Sequence, residues 1–367
     1  MSVIVVYNPV CGDSTAEQFF NAHVIPRLKS ANQIPSEIIR TRAPGDAGEV
    51  VLDFLKKHKG DLTVVLGSGD GTLHEILNHL AFVNDHSFSI HFVLVPCGTA
   101  NALYASLFGP APPHETVAYK LRSLEAFLGS STVRPLSLSL TSLLGPGGSD
   151  YDRSNARPVL SVVVTSTALH AAILRDSEKL RKQTPGIERF KIAAQQNISK
   201  WYSGHVKLFP TPSSSVIRIY DPQKGDFVPV GDSNQRESAL DLHGPFAYFL
   251  STVNVDRLES LFRITPTISK NPPTETSMDV VVIRPKRDPT SVLDTPQARE
   301  KFAEKTFTIL SAAYQDGNHV NLRYLENGDI TESGDGDTAV ECFRCGGWEW
   351  TPVRLPHLCL HRVIDAP

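Results

Sequence analysis

The chain opens on an unbroken apolar run, residues 3–7 (VIVVY), the pattern of a strand covered on both faces. Ser14-Thr15-Ala16-Glu17 has the residue types of a capping box, and Phe19, Phe20, Val24 and Leu28 behind it share one helical face. Pro26 is placed to kink or end that helix. Residues 36–41 read as a second strand, and residues 46–59 as a second helix with Val50, Val51, Phe54 and Leu55 as its stripe. Residues 62–66 form a third strand, followed by Gly67-Ser68-Gly69-Asp70-Gly71-Thr72 and a helix from Leu73. Residues 92–95 form a fourth, followed by Pro96-Cys97-Gly98-Thr99-Ala100-Asn101 and another helix. Strands alternating with helices predict a parallel, doubly wound α/β sheet over residues 1–132.

Beyond residue 130 the rhythm changes. Residues 142–158 (SLLGPGGSDYDRSNARP) are rich in Gly, Ser and Pro and read as a long loop. Short β-like runs follow at 160–167, 205–209, 216–220, 246–253, 280–283 and 319–324, with polar or Pro-rich loops at 221–239 and 265–277. Helical stretches interrupt them near 168–200 and 296–315. This pattern predicts an antiparallel, β-sandwich-like second domain over 133–367.

Composition narrows the function classes. A chain of 367 residues suits two domains, and 41% hydrophobic with 20% charged residues suits a globular protein with a large core. A net charge of −3 argues against a nucleic-acid binder. No run of 18 apolar residues predicts a membrane-spanning helix, and the N-terminus lacks the pattern of a secretory signal. Five cysteines, sparse and odd in number, fit reduced thiols and a cytoplasmic location.

The glycine loops carry the candidate chemistry. Glycines between a buried strand and a helix let backbone N–H groups converge on one spot, an anion site. Asp70 would repel an anion there unless it has another task, such as accepting a proton from an attacking hydroxyl or organising Mg²⁺. The alternative is a tight turn with Asp70 as a cap. The loop is not a Walker A motif, because no Gly-Lys-Ser/Thr follows. The 96–101 loop repeats the geometry, with Thr99 and Asn101 as hydrogen-bonding groups, and Asn8-Pro9-Val10-Cys11-Gly12 makes a third strand-to-helix turn at the same sheet edge.

These residues resemble the diacylglycerol kinase catalytic-domain family, most closely its sphingosine and ceramide kinase branch. The matching pieces are Asn8-Pro9 with Gly12, Thr41-Arg42-Ala43, the run from Ser68 through His74-Glu75-Ile76 to Asn78, the run from Pro96 to Leu103, and Arg175-Asp176-Ser177-Glu178-Lys179-Leu180-Arg181 with Glu188-Arg189-Phe190. The resemblance implies an NAD kinase-like or lipid-kinase N-terminal domain and a kinase using ATP and Mg²⁺ on a lipid presented by a membrane surface. It implies Asp70 as general base. Gly69, Gly71, Thr72, Gly98 and Thr99 would cradle the nucleotide phosphates. Asn8, Thr41, Glu75 and Asn101 would line the nucleotide pocket, and Arg181 and Arg189 would reach the β- and γ-phosphates. The blander reading of these arginines is a solvated helix face with a Glu178–Arg181 pair.

Two departures from the family pattern stand out. Sphingosine kinases carry two aspartates for the sphingoid head where this chain has Ala172 and Leu174. The head is then expected at Leu174 and His170, unless His170 is a structural histidine, and the acceptor is a sphingoid base, a ceramide or an acylglycerol. The family's C-terminal Asp-Gly-Glu turn has its nearest equivalent at Cys345-Gly346-Gly347. Alternatives are an NAD kinase-like enzyme or a catalytically degenerate binder of the same fold. Cys342, Cys345, His357, Cys359 and His361 form a weak zinc pattern. Trp348 and Trp350 share a strand face, either in the core or at a membrane interface.

Overall fold

The computed structural model describes residues 2–58, 60–81, 89–112, 116–130, 132–144, 158–231, 239–353 and 358–364. The chain divides into two compact units, Met1–Pro135 with Leu258–Ser260, and Leu136–Arg257 with Leu261–Pro367.

The first unit follows the expected βα alternation. Its elements are β1 (Ser2–Tyr7), α1 (Ala16–Phe19), α2 (Ile25–Ser30), β2 (Glu37–Arg40), α3 (Asp46–Lys57), β3 (Leu62–Ser68), α4 (Asp70–Leu80), β4 (Ile90–Pro96), α5 (Ala102–Phe108), α6 (Val117–Lys120) and α7 (Arg122–Leu128). Among the described residues β1 to β4 form one parallel sheet in the order β2-β1-β3-β4. Residues 3–7 are buried throughout, as an apolar run between two helical layers requires. The order of connection reverses between β1 and β3, and the crevice at such a switch point is where open α/β sheets bind ligands.

Three local expectations are corrected. There is no capping box at the start of α1: Ser14 takes a left-handed φ of 63°, and the Asp13 carboxylate accepts the Thr15 N–H and hydroxyl instead, at 3.1 and 2.6 Å. Pro26 does not end the helix: a π-helical turn at Phe20–Val24 precedes it and Pro26 falls in the first turn of α2. The helix expected from Leu73 begins at Asp70, with Gly67 and Ser68 still in the strand.

The second unit contains β5 (Leu138–Leu144), β6 (Val159–Ser161), β7 (Val164–Thr167), α8 (Ala168–Leu180), α9 (Glu188–Asn197), β8 (Gly204–Phe209), β9 (Arg218–Asp221), β10 (Asp226–Pro229), β11 (Leu240–His243), β12 (Tyr248–Thr252), α10 (Thr267–Lys270), β13 (Met278–Ile283), α11 (Pro296–Ser311), β14 (Arg323–Tyr324), β15 (Ile330–Thr331), β16 (Glu341–Cys345), β17 (Gly347–Pro352) and β18 (Leu358–Ile364). Among the described residues they build two antiparallel six-stranded sheets, β10-β9-β16-β13-β12-β7 and β11-β8-β17-β18-β5-β6. Alternate residues of both sheets fill one core: Val206, Leu208, Trp348 and Trp350 meet Phe249, Val280, Val282 and Phe343. The aromatic contacts are close, with Phe249 and Trp348 centroids 4.8 Å apart. Both tryptophans of β17 are thus core residues, and the membrane-interface reading of them is withdrawn.

The run 160–167 splits between sheets as β6 and β7, and the expected strand at 319–324 is a 3₁₀ turn over Asn318–Asn321 leading into β14. Buried His319 holds that turn, its Nε2 lying 3.0 Å from the Ile264 carbonyl. Most of the Gly/Ser/Pro-rich loop (145–157), part of the 221–239 loop (232–238), and His357 lie outside the described residues.

Candidate functional site

Three strand-to-helix loops meet at the carboxyl edge of the first sheet. Asn8, just past β1, donates its N–H to Gly67 O at 2.9 Å, and its side-chain oxygen accepts the Val10 N–H at 3.1 Å. Gly12 has φ +53°, and a Cβ there would lie 2.3 Å from the Cys97 carbonyl, so the first loop is seated directly on the third. The buried thiols of Cys11 and Cys97 also meet there: the Cys97 thiol lowers the pKa of Cys11, and Cys97 is raised in return.

The second and third loops are in backbone contact. A Cβ on Gly98 would stand 2.5 Å from Gly69 Cα, and one on Gly69 would stand 3.1 Å from Gly98 Cα. Asn101 holds the third loop in shape from a left-handed φ of 52°. Its side chain accepts the Gly98 N–H at 2.9 Å and donates to the Gly98 carbonyl at 2.8 Å.

Asp70, the first residue of α4, is fixed by the loop beyond it. Its two oxygens accept the Ala102 N–H at 2.7 Å and the Leu103 N–H at 3.2 Å, at the start of α5. Burial raises its pKa above the usual carboxylate range, and these backbone donors only partly oppose the rise. The result is a positioned carboxylate with elevated basicity beside a small cavity of about 20 Å³ that Ser68, Gly69 and Asn101 also border.

The other candidates of this unit take different places. Thr72 is buried and bonds Ser68 through their hydroxyls at 2.5 Å, closing the turn between β3 and α4. Gly71, on the first turn of α4, and Thr99, on the third loop, are exposed. Glu75 is spent locally, its carboxylate accepting the Gly45 N–H at 3.1 Å at the head of α3. Thr41 is buried and lines an open cleft of about 690 Å³ with Pro9, Val10, Ile39, Arg40 and Arg42.

In the second unit, Arg181 is exposed and pairs with Glu178 at 2.8 Å, the solvated helix-face contact expected of an i,i+3 pair. Arg189 differs. It is 6% exposed, and its Nε has no hydrogen-bond partner among the described residues. Burial, and then the nearby Arg181 charge, lower its pKa. The Glu178 carboxylate partly opposes that shift, and the buried Nε remains a donor that an anion could engage. His170 is half-buried on the first turn of α8 with Nδ1 2.7 Å from Ser166 Oγ, and Leu174 is exposed one turn later.

Two C-terminal readings change. Cys345-Gly346-Gly347 is a buried crossing between β16 and β17, with Gly346 N–H donating to Phe209 O at 2.9 Å, and it presents no carboxylate. The better match to an Asp-Gly-Glu turn is Asp335-Gly336-Asp337, which sequence reasoning passed over although it changes only the last acid. This turn is pinned to β14: Arg323 donates to Gly336 O at 3.0 Å, and Tyr324 N–H donates to Asp337 O at 2.9 Å. The zinc pattern also dissolves at its first pair. Cys342 and Cys345 sit three apart on one strand and so face opposite ways, and burial pushes the Cys345 thiol up to about 12. Among the described residues no three His, Cys, Asp or Glu side chains converge as a metal site.

Residues 2–127 match the profile of the diacylglycerol kinase catalytic domain. Sphingosine kinase 1 of Homo sapiens is 30% identical over 241 residues, which cover 62% of this chain and 59% of that protein. Sphingoid long chain base kinase 5 of Saccharomyces cerevisiae is 30% identical over 128 residues, covering 34% of this chain and 18% of that protein. The crystal structure of a diacylglycerol kinase from Bacillus anthracis str. Sterne is 15% identical, with 99% of this chain and 94% of that chain covered and a TM-score of 0.46. The chain thus spans less than two thirds of the length of either curated relative.

Proposed function

We propose that the chain transfers the γ-phosphoryl group of ATP to a hydroxyl of a lipid presented at a membrane surface, a reading supported by the match of residues 2–127 to the diacylglycerol kinase catalytic-domain profile. The observation that carries this reading is Asp70, a desolvated carboxylate held by two backbone N–H groups where three glycine-bearing loops converge. In the proposed reaction the lipid hydroxyl gives its proton to Asp70 as its oxygen bonds to the γ-phosphorus. The bond from that phosphorus to the β,γ-bridging oxygen breaks, and ADP leaves. A raised pKa makes Asp70 a stronger base than an ordinary carboxylate.

The loop N–H groups around Gly69, Gly71, Thr72, Gly98 and Thr99 are proposed to bind the nucleotide phosphates, with Asn8, Thr41 and Asn101 about the nucleotide. For Arg189, aided by Arg181, the proposed role is to bind a phosphate oxygen, which would give its buried Nε the partner it lacks among the described residues. Glu75 is proposed to act on the nucleotide indirectly, through the loop it ties at Gly45. Mg²⁺ would neutralise the nucleotide phosphates.

No helix among the described residues is long and apolar enough to cross a membrane. The test is transfer of labelled phosphate from ATP to sphingosine, ceramide, diacylglycerol and monoacylglycerol, with NAD as a control. Label is expected in lipid, and Asp70→Asn should lower kcat about 10²–10⁴-fold with ATP affinity nearly unchanged. Label in NAD alone, or full activity in the variant, would overturn the reading.

A further inference from the structure

The second unit holds a polar cluster that its fold leaves incomplete. Ser166 of β7 pairs with Leu250 and Ala168 pairs with Tyr248 of β12, so Ser166 and Tyr248 project from the same face of the sheet, the one on which α8 packs. His170, on the first turn of α8, sets its ring edge-on to Tyr248 with centroids 6.2 Å apart. Its Nδ1 engages Ser166 Oγ at 2.7 Å. Tyr248 is only 2% exposed, yet its hydroxyl has no hydrogen-bond partner among the described residues. A buried orphan hydroxyl costs stability, and a fold that retains one calls for an explanation.

Two further observations indicate what completes the cluster. It is electrically neutral: burial lowers the His170 pKa to about 4, and the Tyr248 phenol is raised, by burial first and the Tyr314 phenol second, with no carboxylate contributing to either. Its surroundings include exposed apolar surface. Leu174, one turn beyond His170 on the same helical face, is 45% exposed, and Tyr314 is 52% exposed with its ring against Phe262.

Resting on the lipid-kinase reading, we propose that His170 and Tyr248 form the acceptor's head-group site and that the acceptor is an uncharged lipid alcohol, a ceramide or an acylglycerol, not a sphingoid ammonium. The hydroxyls of such a lipid donate and accept and its carbonyl accepts, matching the Tyr248 hydroxyl and the His170 ring. A sphingoid base carries hydroxyls too, but its ammonium donates only and, buried among neutral groups, would lack a counter-charge.

The experiment separates binding from turnover. Labelled short-chain ceramide, diacylglycerol and sphingosine are equilibrated with the full chain in mixed micelles without ATP, and phosphate transfer is measured separately. An uncharged lipid should bind at least about tenfold more tightly than sphingosine. Tyr248→Phe should weaken that binding about fivefold or more while its thermal midpoint stays level or rises, since only an unpaired hydroxyl is removed. His170→Asp should shift preference toward sphingosine. Sphingosine binding equally or more tightly, or Tyr248→Phe binding normally, would overturn the head-group site. The predicted lipid preference without phosphate transfer would support the site and overturn the kinase reading instead.

Discussion

Gly69 and Gly98 touch backbone to backbone: a methyl group on Gly98 would stand 2.5 Å from Gly69 Cα and 2.8 Å from Asn101 Oδ1. The nearer neighbour is backbone and the other is a side-chain oxygen held by two hydrogen bonds to Gly98, so the loops must separate to admit it. Gly98→Ala should therefore destabilise the chain by about 1–3 kcal/mol and weaken ATP binding at least about tenfold. Gly69→Ala, with its nearest contact at 3.1 Å, should do less. Urea unfolding and nucleotide titration of both variants check the order.

Asn101 combines a left-handed backbone with two side-chain bonds to Gly98, and substitutions separate the two roles. Asn101→Ala should cost about 2–4 kcal/mol, the backbone penalty plus two lost hydrogen bonds. Asn101→Gly should recover only the backbone part. Equal losses in the two variants would show that the φ angle is not what selects asparagine.

Asp70 has a folded-state pKa above its unfolded one, because burial outweighs the Ala102 and Leu103 donors. The folded chain then holds this proton more tightly, so the site favours folding at low pH and opposes it once pH rises through the folded pKa. Asp70→Asn lacks that dependence. Wild-type stability should gain on the variant's as pH falls through the raised pKa. On the proposed mechanism kcat should fall over the same window, as the base becomes protonated. Paired denaturation curves and a pH–rate profile test both signs.

Arg189 offers the opposite test of a functional residue. A buried guanidinium with an unpartnered Nε contributes little to folding, so Arg189→Met should keep its thermal midpoint or raise it. The same variant should raise KM for ATP about tenfold or more if the residue binds phosphate. A lower midpoint with an unchanged KM would make it a structural residue.

Much of the first unit was legible in the sequence because its signals are local. The continuous apolar run of β1, the strand–glycine–helix passages at Gly67–Thr72 and Pro96–Asn101, and the stripe of α3 each report a nearest-neighbour preference of the chain. The sandwich was legible as a class, from short β-like runs separated by turn residues, but not strand by strand. β16 and β17 run through Cys345-Gly346-Gly347, where glycine suggests a loop. Packing against Pro210 and Phe209 makes it a buried crossing instead.

Composition and spacing by themselves determined the two-part organisation, the three loops on one sheet edge, and the candidacy of Asp70, since each needs only residue type and order. Tertiary structure alone decided what those residues meet. Asp70 receives its two N–H donors from residues more than thirty positions away, Gly98 is obligatory because another loop lies against it, and Glu75 turns to Gly45. The orphan hydroxyl of Tyr248 and the unpartnered Nε of Arg189 exist only once burial has removed water from them. Desolvation and long-range contact are properties of the packed chain, and no local pattern of residues encodes them.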